Sequence, residues 1–445
     1  MPAFWAFVLV TWGAAAWLGA RRPEPDLYPF LKRAWPGARY EAQGAGRFRA
    51  TRDGALLGYA ATGSDFGYGG SMTLAVAVTP DGRLHSLAVL EYRDTPDLFA
   101  RARGLLARLV GKSHADPFRV GEDVDAVSGA TFSSRGLANA ALAGARRIAE
   151  RAPLSVPGSQ AVELGGPELA LGALLLLTLL GRGRTWLGPR GRRALRLVAL
   201  LLGLATLGFL FAQPWVTAFP ARLLAADWPA WRTHVYWYAL LAAVLLSFDR
   251  TGKSPYCPWL CPFGAAQDLL GVATGAHRRR LRAGLLFAWV KRLLLWLAVL
   301  LGLLFHAPGA ASYEVFATLF RWTGSSWQFA VLFFTAVAAL VARRPFCHWA
   351  CPVDAAEQAL RPLRRAVLGR VGLRPRPGRS LPMAAPVAAA GGLDEIERFR
   401  GRALAAVGLF CAGLLLGHLH ERFSAQAAVA RENLLGETFT TRGQR

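Results

Sequence analysis

Long apolar runs separated by arginine clusters fill most of the chain, and one polar interval with short alternating segments interrupts them. The first run, residues 2–20, stops at Arg21-Arg22-Pro23. It reads as a membrane anchor or as a signal peptide. No basic residue precedes it and its cleavage motif is loose, so a retained helix is the preferred reading. Residues 24–157 then turn polar. Residues 26–35 predict a short amphipathic helix stopped by Pro36-Gly37. Residues 47–51, 56–61, 72–79 and 84–92 alternate as strands, and Pro80-Asp81-Gly82 joins the last two as a hairpin. Helical periodicity follows at 98–109 and 134–150. The interval is predicted to be an α+β domain with an antiparallel sheet at its centre.

After a Pro/Gly/Ser-bearing linker, apolar runs at 167–181, 194–211, 234–248, 285–305, 329–342 and 404–419 predict an all-α polytopic transmembrane helix bundle. Arginines cluster on alternate connections: Arg182 to Arg193, Arg278 to Arg282, Arg343-Arg344 and the basic stretch 361–379. The connections 213–233 and 308–328 carry few and read as plain loops. Lys291 and Arg292, near the start of a run, snorkel to the basic side. With the arginine-rich connections inside, seven spans leave residues 24–157 extracytoplasmic in a bacterial inner membrane. The expected order is an anchor at 1–22, a soluble domain at 24–157 and a five-helix membrane region at 160–375. A linker (376–402), a last span (403–420) and a polar tail (421–445) complete it.

Composition agrees. The 445 residues are 53% hydrophobic with 15 Trp and 25 Phe, too apolar for one soluble domain. A formal charge of +24 would point to nucleic acid in a soluble chain. Here the arginines lie between spans, so the charge is read as topology, with the lipid bilayer as partner and no nucleic acid. The spans show few carboxylates or broken helices, which gives a transporter no support.

Four of the five cysteines fall in two matched units, Cys257-Pro-Trp-Leu-Cys261-Pro262 and Cys347-His-Trp-Ala-Cys351-Pro352, each followed by an Ala-Ala pair. Each unit follows a pair of spans, so the membrane part reads as two copies of one module. Thiolates are soft ligands, and four of them suit an iron–sulfur cluster or zinc. Buried structural cysteines and disulfides are the other readings. Matched flanks weigh against the first, and a reducing cytoplasmic face against the second. The proline after each second cysteine fits the first turn of a helix.

In the polar interval, Asp125-Ala-Val-Ser128-Gly129-Ala130-Thr131 is a small-residue turn that opens a helix. It serves either as an ordinary cap or as a phosphate site at a helix N-terminus. This stretch resembles the flavinylation motif of periplasmic FMN-binding domains such as those of RnfG and NqrC. Gly67-Tyr68-Gly69-Gly70 and Asp94-Thr95-Pro96 match the same family, which usually has Glu where Asp94 stands. The resemblance implies FMN attached through its phosphate to Thr131 by a flavin transferase. Asp125, Ser128, Gly129, Ala130, Tyr68, Gly69 and Thr95 would lie around the cofactor.

The two parts together resemble NosR-type membrane proteins, which pair an outer FMN domain with inner Cys-x3-Cys-Pro units and support periplasmic reductases. The ferredoxin run of that family, Cys-x2-Cys-x2-Cys-x3-Cys-Pro, does not occur in these 445 residues. No built-in cytoplasmic wire is therefore expected, and no specific partner is implied. The resulting expectation is electron transfer between a cluster, 4Fe-4S by preference, on Cys257, Cys261, Cys347 and Cys351 and an FMN on Thr131. The donor, a quinol or a cytoplasmic carrier, and the periplasmic acceptor are unidentified. A redox-sensing regulator or assembly factor is the alternative. A bilayer core of about 30 Å is too thick for one fast hop, so an intermediate carrier or a cluster set within the bundle is required. His234, His306, His418 and His420, at outer ends of spans, keep haem as a minor alternative, beside a quinone site or ordinary interfacial roles. His348 reads as a cap or as a group tuning the cluster.

Overall fold

The computed structural model describes the chain apart from residues 1, 22–25, 45, 126, 128–129, 155–161, 163, 184–187, 247, 249–251, 277–284, 373–392, 433–437 and 441–445. The first apolar run forms α1 (Pro2–Ala20), which packs on the helical bundle of the second part. The polar interval opens with α2 (Tyr28–Ala34) and continues into an antiparallel meander. Its strands are β1 (Arg39–Ala42), β2 (Arg47–Arg52), β3 (Ala55–Phe66), β4 (Ser71–Val78) and β5 (Leu84–Tyr92). The β4–β5 turn needs Gly82 at φ 83°, the left-handed region where a Cβ would clash.

Successive side chains of a strand point to opposite faces, and β4 uses the two faces unequally. Met72, Leu74, Val76 and Val78 pack with Leu137, Ala141 and Ile148 of α5 (Thr131–Ala149). Ala75 and Ala77 lie on the other side in the cluster of Phe30, Leu31 and Ala34 from α2. Helices therefore cover both faces of a sheet buried at its centre. The region predicted as one helix over 98–109 is two, α3 (Pro96–Ala102) and α4 (Leu105–Leu109), parted at Arg103-Gly104, where glycine weakens a helix.

All the remaining apolar runs are helical. They form α6 (Gly166–Gly183), α7 (Pro189–Leu210, π-helical from Leu204), α9 (Val235–Leu245), α11 (Leu285–Leu304), α13 (Ser326–Ala339) and α16 (Leu393–Glu432). Between them lie the short helices α8 (Ala218–Leu224), α10 (Pro262–Leu270), α12 (Phe316–Arg321) and α14 (Pro345–Trp349) and the longer α15 (Pro352–Arg370). Three helices, Pro189–Leu210, Leu286–Leu304 and Phe399–Ser424, are long and apolar enough to cross a membrane. Thr11 and Trp12 of α1 hydrogen-bond Trp296 of α11 at 3.0–3.1 Å.

Two readings of the sequence change. The tail is not simply polar. α16 runs on to Glu432, and β6 (Thr438–Thr440) pairs antiparallel with β5, giving the sheet a sixth strand that covers an open edge. The connections 213–233 and 308–328 are not surface loops either. They fold into the bundle, where Trp215, Val216, Phe219, Tyr313, Val315 and Phe316 are buried. Their aromatic and aliphatic content makes that favourable. Glu314, buried with them, accepts from the Thr217 backbone N–H at 3.0 Å and from its hydroxyl, which offsets the cost of burial.

The inward-folded connections also dock the sheet domain. Gly309 N–H donates to Arg93 O at 3.1 Å, Ser71 Oγ donates to Asp227 at 3.3 Å, and Arg422 of α16 pairs with Asp97.

Candidate flavin and iron–sulfur sites

The flavin motif converges on one buried carboxylate. Asp94 is fully buried and accepts from Gly69 N–H, from Thr95 N–H at 2.8 Å and from the Ser133 hydroxyl at 2.5 Å. It thus ties the Gly67–Gly70 turn, the Asp94-Thr95-Pro96 stretch and the first turn of α5 into one unit. Burial pushes its carboxyl above the ordinary range, and the donors pull it back. The side chain shortened from the family's usual Glu is therefore a clamp. Gly69 must be glycine, because a Cβ there would meet Thr95 Oγ1 at 2.6 Å and Gly309 Cα at 2.8 Å. Asp94→Ala leaves three buried donors without an acceptor, at an expected cost of roughly 3–5 kcal/mol. A lowered thermal midpoint of the full chain in detergent, with reduced flavin loading, checks this. An unchanged midpoint refutes the clamp.

Thr131 is the first residue of α5, and Ala130 before it makes no side-chain cap. No hydroxyl therefore caps the helix from the N-cap position, and Thr131 lines a cavity with Tyr68, Leu98, Ala130, Ala317 and Arg321. Tyr68, Leu98 and Ala317 also line a neighbouring cavity with Thr95, Glu314 and Gln328. Thr95 Oγ1 is buried with no hydrogen-bond partner among the described residues. A helix N-terminus, a cation at Arg321 and an unpaired hydroxyl suit a phosphate-linked, heteroatom-rich ring. Tyr68, Gly69, Thr95, Ala130 and Thr131 are thus brought together. Asp125 is not: its side chain is 90% exposed and its carboxylate lies 3.8 Å from Arg108. Ser128 and Gly129 lie outside the described residues.

The two cysteine units brace each other across the module interface. All four thiols are free; Cys261 and Cys351 are buried, and Cys257 and Cys347 pack against the same apolar core. Pro262 and Pro352 open α10 and α15 at the first turn. Gln267 of the first unit donates to Cys347 Sγ at 3.6 Å and accepts from Phe346 N–H at 3.1 Å. Arg344, ahead of the second unit, donates to Cys257 O at 2.9 Å and to Asp268 at 2.6 Å. Glu357, the counterpart of Gln267, accepts from Ser254 N–H at 3.1 Å and pairs with Arg364 at 2.8 Å. Cys261 also accepts from Gly264 N–H at 3.4 Å. Thiols in a dry pocket with N–H···S contacts suit an iron–sulfur cluster. Among the described residues no three His, Cys, Asp or Glu side chains close round a point as one metal ion requires. A cluster takes its thiolates at wider separation.

The histidines divide. His418 is buried in α16, with its ring nitrogens at 2.8 Å from Ser325 Oγ and 3.4 Å from Ser312 O. Both nitrogens are engaged within the protein. His234 contacts Thr233 Oγ1 at 2.9 Å and Phe66 O at 3.3 Å.

The residues that sequence reasoning missed are those acting across the fold: Asp94 as clamp, Arg321 beside Thr131, Gln267 and Arg344 between the modules. Gln267 and Glu357 were legible only as equivalent positions six residues past the second cysteine of each unit.

The comparisons fall on these same residues. The FMN-binding domain family matches residues 67–145, and the 4Fe-4S binding domain family matches 233–283 and 323–370. Protein NirI of Paracoccus denitrificans (strain Pd 1222) is 28% identical over 243 residues, which cover 51% of this chain and 35% of NirI. Regulatory protein NosR of Stutzerimonas stutzeri is 31% identical over 136 residues, 27% of this chain and 17% of NosR. The chain thus spans well under half the length of either relative. No solved structure matches. The chain carries an FMN-binding domain and a 4Fe-4S binding domain on a helical part with three candidate spans, and with its likeness to NirI and NosR it fits a NosR-type protein.

Proposed function

We propose that the protein is a membrane electron-transfer flavoprotein. It passes electrons between a cytoplasmic-side iron–sulfur cluster on Cys257, Cys261, Cys347 and Cys351 and an extracytoplasmic FMN joined through its phosphate to Thr131, in support of a periplasmic reductase. A flavin transferase matures it. Bound FMN exchanges one or two electrons and so joins one-electron to two-electron carriers. Arg321 would hold the phosphate; Tyr68, Thr95 and Leu98 would flank the ring.

One observation carries this reading. The short helix α12 touches both sites. Its Ala317 and Arg321 line the Thr131 cavity. Its Phe316 ring lies 5.0 Å from Phe263, two residues past Cys261, and 6.1 Å from Phe346, next to Cys347. Phe263 and Phe346 are themselves 5.2 Å apart. The folded-in connection shortens the path that a bilayer of about 30 Å would otherwise impose, so no haem is needed between the sites. The proposed sidedness is supported by β6, which brings the end of the chain to the same side as the FMN domain.

The test is the relaxation of the flavin semiquinone in the full-length protein. The radical is expected to relax faster when the cluster is paramagnetic than in the Cys347→Ser variant. Equal relaxation in the two would overturn the short path. A second reading, a membrane-anchored redox-sensing regulator, draws on the word regulatory in the name of NosR. Sustained turnover with an outer acceptor favours transfer, and a flavin that reduces once and stalls favours sensing.

A further inference from the structure

A third cavity shares Tyr68 and Phe132 with the Thr131 cavity, and Thr95 is not among its lining residues. Its walls are aromatic: Phe66, Phe132, Phe219, Tyr236 and Trp237. Three of its polar residues are buried without hydrogen-bond partners among the described residues at Arg222 Nε and Nη2, Trp237 Nε1 and Gln213 Oε1. Arg222 is 1% exposed, with its guanidinium carbon 4.4 Å from the Phe66 ring centre and 5.2 Å from that of Trp237. A cation and an indole N–H left unsatisfied at such burial cost free energy unless something accepts from them.

The edge of the cavity supplies a base. With Nε2–H donating to Phe66 O at 3.3 Å, His234 Nδ1 is left as an acceptor 2.9 Å from the Thr233 hydroxyl, which also reaches Ala230 O at 3.3 Å, and Thr233 and His234 both line the cavity. Just outside, Trp228 and Trp231 are more than half exposed on the connection before α9. Exposed tryptophans at a helix end mark the membrane–water interface. The space is walled by aromatic rings and furnished with donors and an acceptor, with Arg135, Asn139 and Glu168 also on its lining.

We propose that this cavity is a binding site for a lipid-borne quinone or quinol. Arg222 and Trp237 donate to a ring oxygen, and Gln213 accepts from a ring hydroxyl. Binding stands apart from the flavin reading, and only the transfer of electrons out of the site rests on it. A quinol oxidised here loses two electrons and two protons. With FMN bound, both electrons and one proton would pass to it by way of Tyr68 and Phe132, which line both cavities, and the other proton would go to His234 Nδ1 by way of Thr233.

The test uses the full chain in lipid nanodiscs with a short-tailed azido-quinone as photolabel. Thr131→Ala protein is labelled alongside flavin-loaded protein, and the labelled peptides are mapped. Labelling within 213–237 is expected in both. Trp237→Phe, which removes one donor to the ring oxygen and keeps the aromatic wall, is expected to weaken binding roughly tenfold, about one hydrogen bond. Thr233→Trp, which fills the cavity from its rim, is expected to abolish labelling while flavin loading at Thr131 persists. Failure to label this segment in the flavin-free protein overturns the quinone site. Labelling that disappears whenever flavin is loaded also overturns it and assigns the space to the flavin ring. Flavin on Thr131, read separately by mass, is unaffected by either result.

Discussion

Thr131→Ala is expected to abolish covalent flavin and leave the fold intact. The proposed attachment point is Thr131, which lines the cavity that Tyr68, Leu98 and Arg321 complete. It has little structural duty, because α5 begins at Thr131 and its N-cap carries no side-chain hydrogen bond. Alanine suits a helix's first turn, so the stability change should stay within about 0.5 kcal/mol. The neighbouring Ser133 differs: its hydroxyl is bound to Asp94, so its loss disturbs the clamp. In-gel fluorescence of denatured protein, co-expressed with a flavin transferase, reads the outcome. Fluorescence that survives denaturation in wild type and vanishes in Thr131→Ala supports the assignment. A dark wild type, with the transferase active on a control, would sink the flavin half of the proposal.

The second large effect concerns metal. Cys351→Ser is expected to take iron and acid-labile sulfide from about four each per chain to near zero. Serine is a poor ligand, and the remaining three thiols cannot close the cluster's coordination. Cys411→Ala is the control. Cys411 is buried in α16, away from both units in sequence, and its loss should leave iron unchanged. Iron lost equally from both variants would point to a general folding defect instead. Metal loss should also lower the thermal midpoint, because a group bound only by the folded state stabilises it. The cross-braces from Gln267 and Arg344 would then hold the two modules alone.

Much of this organisation was legible in the chain. The hairpin over β4 and β5 followed from alternation around Asp81-Gly82, and every apolar run became a helix. The paired cysteine units announced a thiolate site because ligand chemistry needs side chains of one kind at short, repeated spacing. These features are local: a strand's period, a helix's apolar length and a turn's glycine are set by neighbours within a few residues.

Which distant segments meet was settled by packing. Residues 308–328 carry one arginine and read as a loop, yet Tyr313, Phe316 and Phe320 are buried by folding inward. That choice puts Phe316 between the cysteine units and Arg321 beside Thr131. Asp94 read as a shortened contact and became a clamp, because two of its three donors, Gly69 N–H and the Ser133 hydroxyl, come from segments far from it in sequence. The end of the chain showed no pairing signal of its own and became β6, since β5 offered an open edge. In each case burial and hydrogen-bond satisfaction act between segments that no local pattern relates. Local pattern therefore specifies the elements and the chemistry they carry, and long-range packing specifies the path between them.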